Sequence, residues 1–137
     1  MVSYSPTTVT ASTTLKNSRH GDGGVYVNAA AGLTLTLPAA TGKGVVFRIF
    51  IGTTVTSNNV IISPNGTDTM IGVIVGGGAA VNGWATAAGN NTITLNGTTK
   101  GGIKGDYIEL RDVATGLWRV GGSVTQTGTA ATMFSTV

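Results

Sequence analysis

From Val25 onward the chain is a series of short runs in which apolar and polar residues alternate, separated by clusters of Gly, Asn and Pro. In "GLTLTLP", Leu33, Leu35 and Leu37 alternate with Thr34 and Thr36. A period of two puts the leucines on one face of a strand and the threonines on the other. Pro38 ends that strand, because it has no N–H to give to a ladder. "VYVN" (25–28), "VVFRIFIG" (45–52), "VIIS" (60–63), "MIGVIVGGG" (70–78) and "TITLNG" (92–97) are further strands. Arg48 is the only charge of its run and should face away from Phe47 and Ile49. Asn-Gly pairs at 65–66 and 96–97 mark turns, and "AAVNGWATAAGNN" is a loose glycine-rich exit from the strand before it. No window of a dozen residues has a helical period, and turns recur roughly every 8–12 residues, as in β-sandwiches and barrels. The predicted fold is all-β, a small antiparallel sandwich or barrel.

The best-specified segment is "GDYIELRDVATGLWRVGG", Gly105 to Gly122. Its pattern predicts a hairpin with Ile108, Leu110, Trp118 and Val120 facing inward. Tyr107, Glu109, Arg111 and Arg119 then face outward, with Glu109 and Arg119 as cross-strand neighbours. Gly116 suits the left-handed position that closes a short loop.

The two ends read differently. Residues 1–20 are rich in Ser and Thr and nearly free of large apolar groups, which predicts an extended N-terminal arm. The β-domain spans 21–122, and 123–137 form a C-terminal tail with an isolated Met133-Phe134 pair.

Composition sharpens this picture. Only 9% of the 137 residues are charged, against about 25% in an ordinary soluble domain. Either the chain sits in a membrane or other protein covers much of its surface. Its longest apolar run, Met70 to Val81, falls well short of the roughly 18 residues a helical span needs. The aromatic girdles of a membrane barrel are also missing. The opening residues lack a charged stretch followed by an apolar one, so no signal peptide is expected. Burial against neighbouring subunits is the reading that remains. The net charge of +3 rests on scattered Lys and Arg, whereas a nucleic-acid footprint clusters them and interleaves aromatics.

Candidate chemistry is sparse. There is no Cys, and His20 is the single histidine, so thiolate sites and histidine pairs are impossible. The acids are Asp22, Asp68, Asp106, Glu109 and Asp112. Three of them lie on or beside one hairpin, and turn aspartates commonly bond their own backbone. "GDGG" and "PNGTDT" supply too few carboxylates for calcium. "GGIKGD" lacks the Gly-Lys-Ser/Thr ending of a phosphate loop. Neither an enzyme nor a cofactor or metal site is expected.

Two longer stretches carry a resemblance. "YVNAAAGLTLTLPAATGKGVVFRIFIGTTVTSNNVIISPNGTDTMIG", followed by "GDYIELRDVATGLWRVGG", resembles a module of tailed-bacteriophage virion proteins. It is similar to head decoration (cement) and head-fibre proteins, and shares phrasing with tail-fibre domains. The resemblance implies a small β-domain, homotrimeric, on the capsid exterior, where it braces neighbouring major capsid protein subunits. It implies no catalytic residue, no membrane and no direct nucleic-acid contact. Within that frame the expected capsid and subunit contacts are Ser3, Tyr4, Thr7 and Thr8 of the arm, Trp84, and Met133 and Phe134 of the tail. Lys16 and Arg19 should meet acidic capsid patches. The alternative is a receptor- or glycan-binding module of a fibre, with Trp84 as its aromatic platform. The glycine-heavy stretch from Gly76 to Gly89 departs from the pattern and has no assigned role.

Overall fold

The computed structural model describes residues 5–21, 23–79 and 81–137. In chain order the elements are β1 (Thr7–Val9), β2 (Thr13–Thr14), the single-turn α1 (Asn17–His20), β3 (Val25–Val27), β4 (Leu33–Thr36), β5 (Val46–Ile51) and β6 (Val60–Ser63). They continue with β7 (Thr69–Gly78), β8 (Asn82–Ala85), β9 (Thr92–Leu95), β10 (Tyr107–Ala114), β11 (Leu117–Gln126) and β12 (Phe134–Ser135). The strands make two sheets around one apolar core. One sheet has seven strands in the order β1-β3-β5-β10-β11-β7-β8, the other five in the order β12-β9-β6-β4-β2.

The all-β sandwich agrees with the alternation, but the pairing is mixed where an antiparallel fold was expected. The first six strands enter the two sheets alternately, so each strand returns to its sheet beside and parallel to the one two before it. The result is a flattened coil of three turns. Its columns stack in register: Val9, Val27 and Ile51 lie side by side in one sheet, and Thr13, Leu35 and Ile62 in the other. A period of two is the same for parallel and antiparallel strands, so residue alternation carries no information about direction. The "PNGTDT" turn likewise links β6 to β7 in the opposite sheet and closes no hairpin.

The 105–122 segment does form an antiparallel hairpin, with Gly116 at φ 74° in its turn. Ile108, Leu110, Trp118 and Val120 are fully buried. The Trp118 indole is the largest of these groups and packs on Phe47, ring centroids 5.7 Å apart. Burying each such side chain is worth about 1.5–3 kcal/mol. One register expectation fails. Glu109 lies opposite Gly121 and Arg48, while Arg119 lies opposite Arg111. The hairpin loop is tight: Ala114 already pairs with Leu117, and an irregularity between Asp112 and Ala114 shifts the register.

The ends are built into the fold. The described part of the arm is the first turn of the coil. Val9 and Leu15 occupy core positions, and the Leu15 N–H donates to the Thr36 carbonyl at 2.8 Å. Two apolar residues among many threonines suffice here because each lands on an existing column. At the other end β11 runs on through Gln126, past the expected boundary at 122. Met133 and Phe134 are buried, and β12 pairs with β9. The described part of the arm and the tail are parts of the β-domain, where an extended arm and a separate tail were expected.

Candidate interaction face

The five-stranded sheet turns most of its large apolar residues inward, with Ile61 half-buried at outward parity. On the seven-stranded sheet the cross-strand registers align three rows on the outer face. One row runs Thr8, Tyr26, Phe50, Tyr107, Ser123, Val75, Gly83. The next contains Arg48, Glu109 and Gly121, and the third Val46, Arg111, Arg119 and Ile71. Ile71, Val73 and Val75 are 55%, 48% and 50% exposed, although they belong to a strand that reads as core. Glycine explains this. On β7 the inward positions include Gly72 and Gly76, where a Cβ would overlap the Val120 carbonyl and the Gln126 amide oxygen. The strand is pressed against its neighbours on the inside and carries its β-branched residues on the outside. Glycines at inward parity, flanked by Ile and Val at outward parity, are the signal in the sequence.

Across this face Phe50 stacks on Tyr107 with centroids 5.0 Å apart. The Tyr107 hydroxyl donates to Glu109 Oε2 at 2.6 Å, and Arg48 Nε stands 3.9 Å from the same oxygen. Burial and the Glu109 hydrogen bond push the Tyr107 phenol up to about 12.

The other described acids clasp backbone. Asp112 accepts N–H groups from Thr41 at 2.9 Å and Gly42 at 2.6 Å, a longer one from Lys43 at 3.4 Å, and the Thr41 hydroxyl. Burial raises its carboxyl, but these donors outweigh burial and hold it below the usual range. Asp106 accepts from Gly102, Ile103 and Thr125, yet burial dominates and pushes its carboxyl up. Asp68 accepts the Ala40 N–H at 2.7 Å. No group of three or more potential metal ligands exists among the described residues. His20 is buried, its Nδ1 accepts the Lys16 N–H at 2.9 Å, and burial lowers its pKa. These side chains are arranged to hold loops in place.

Of the expected contact residues, the structure brings four together. Thr7, Thr8, Lys16 and Arg19 line one depression of about 340 Å³ at the open end of the coil. There the Thr7 hydroxyl donates to the Arg19 carbonyl at 3.1 Å. Ser3 and Tyr4 lie outside the described residues. Trp84 stands apart on β8, a strand without apolar alternation because the residues around Trp84 are small or polar. It packs against the core, and its Nε1–H donates to Gln126 Oε1 at 2.9 Å. It is therefore not a free platform, and the exposed aromatic of the face is Tyr26. Met133 and Phe134 are core residues of this chain. Of the 76–89 stretch, 76–78 end β7 and Asn82–Ala85 form β8, the edge of the seven-stranded sheet.

No described helix is long and apolar enough to cross a membrane. Compared with known proteins, no family model matches the chain, no curated protein matches it, and no solved structure matches it.

Proposed function

We propose that the chain is a structural protein of a bacteriophage virion, a homotrimer that binds the capsid exterior and bridges neighbouring major capsid protein subunits. The observation that carries this reading is the outer face of the seven-stranded sheet. It presents Ile71, Val73 and Val75 to solvent, with no described element packed over them. An apolar stripe on a chain with 9% charged residues fits a surface meant to be covered by protein. The sequence resemblance names the class of partner. The described acids are held by backbone or by Arg48 and Tyr107, an arrangement that suits a scaffold. Contacts made only in the assembled shell stabilise that shell by mass action. The depression around Thr7, Thr8, Lys16 and Arg19 is a second contact region in this reading.

The test is to measure the mass of the purified protein by light scattering and then mix it with undecorated heads. A trimer that sediments with the heads is the expected result. A monomer that stays in the supernatant overturns the proposal.

One observation favours the second reading, a receptor- or glycan-binding fibre module. Tyr26 is exposed beside a cleft of about 340 Å³ that Pro6, Phe50 and Lys104 also line. Sugars stack their C–H faces on such rings. Binding to cells or immobilised glycans, with indifference to heads, distinguishes this reading from the first.

A further inference from the structure

The seven-stranded sheet carries one electrostatic arrangement that no ion pair among the described residues balances. Arg111 and Arg119 stand directly opposite each other on β10 and β11, both exposed. Like charges so placed oppose strand pairing. Their row runs Val46, Arg111, Arg119, Ile71, and no acid stands in it. The nearest carboxylate in the registers, Glu109, is one row away and engaged by Arg48 and Tyr107. Among the described residues these two rows hold three arginines and one glutamate. The guanidinium groups also diverge. Arg111 Nη2 lies 3.9 Å from where a Cβ on Gly44 would stand, and Arg119 Nη1 lies 3.4 Å from that position on Gly121. Between them is a strip of sheet with Val46 on one side and Ile71 on the other.

We infer that this strip is a docking site for an acidic segment of a foreign protein, in which carboxylates are set among apolar side chains. The arginine fork matches a carboxylate with two parallel N–H bonds, and the flanking valine and isoleucine need apolar partners. A second copy of this chain fits poorly. Its described carboxylates, on Asp68, Asp106, Glu109 and Asp112, are already engaged. Nucleic acid would leave the apolar flanks uncovered. The inference rests on the reading of this chain as a protein that docks on another.

The experiment is an NMR titration of the full chain with a six-residue peptide of alternating Glu and Val, its Gln-for-Glu counterpart, and oligothymidylate. The Glu peptide should bind at least tenfold more tightly than the Gln peptide, and this preference should vanish in the Arg111→Gln/Arg119→Gln variant. The variant's Tm should equal or exceed the parent's, because the opposed charges are gone. Equal binding of the two peptides, a preference that survives in the variant, or tighter binding of the oligonucleotide overturns the inference. Sedimentation with undecorated heads separates the two levels. A variant that sediments like the parent overturns the inference and leaves the capsid reading intact. A parent that prefers the Glu peptide but ignores heads overturns the capsid reading alone.

Discussion

The Asp112 carboxylate accepts the Gly42 N–H at 2.6 Å across 70 positions of chain, and so ties the loop before β5 to the end of β10. The same carboxylate takes the N–H groups of Thr41 and Lys43. This is the most concentrated polar anchor on the seven-stranded sheet.

Replacing Asp112 with Ala removes a charged acceptor from several backbone donors. The expected loss is about 2–3 kcal/mol, since hydrogen bonds to charged groups contribute more than neutral ones and the loop donors are left to water. The pH dependence has a definite sign. The folded pKa lies below the unfolded value of about 3.9, so the stabilisation is complete above that value and is lost as pH falls through the folded pKa. Urea melts of parent and variant should therefore converge on acidification. A gap that stays constant down to strongly acid pH contradicts this role.

Trp118 is fully buried, and its Nε1–H has no partner among the described residues. Trp118→Ala should lower stability by about 3–5 kcal/mol as a core truncation. Trp118→Phe should cost clearly less, because it keeps the contact with Phe47 and removes an unsatisfied donor worth about 1–3 kcal/mol. Denaturant melts of the two variants give the comparison, and equal losses would mean that the indole N–H is satisfied after all.

Gln126 is wholly buried and joins three parts of the chain. Its amide donates to the Thr99 carbonyl at 2.8 Å and the Ala131 carbonyl at 2.9 Å, and its oxygen accepts from Trp84. Gln126→Leu fills similar volume but leaves these groups unpaired, at about 1–3 kcal/mol for each one that stays buried. The Trp84 fluorescence maximum should move as its partner is lost, while far-UV dichroism remains that of a β-protein.

Phe134→Ala and Leu15→Ala distinguish built-in ends from free docking segments. Each should lower stability by about 2–5 kcal/mol in the isolated protein. An unchanged Tm would return Leu15 and Phe134 to the status of surface groups.

The strands were legible in the sequence wherever large apolar residues alternated, as at Leu33, Leu35 and Leu37 or through the hairpin. Sheet membership was not, because the link between β6 and β7 has the same turn residues whether it reverses the chain or crosses to the other sheet. Leu15 and Phe134 were overlooked for a related reason. A lone apolar residue among threonines carries no period, and only the column it joins shows that it is core. The exposed stripe on β7 was hidden because apolar residues of both parities read as burial on both faces. The opposition of Arg111 and Arg119 depends on a hairpin register that the loop irregularity shifts, and alternation alone pairs Arg119 with Glu109 instead.

The most direct test of the account is sedimentation of the purified protein with heads assembled from the major capsid protein that the account assigns as its partner. Parent and Val73→Glu would be compared, the latter placing a charge in the middle of the stripe on β7. The account expects saturable co-sedimentation of the parent, and a Val73→Glu protein that melts like the parent but remains in the supernatant. A parent that stays in solution at saturating concentration, or a Val73→Glu protein that binds as well as the parent, contradicts it.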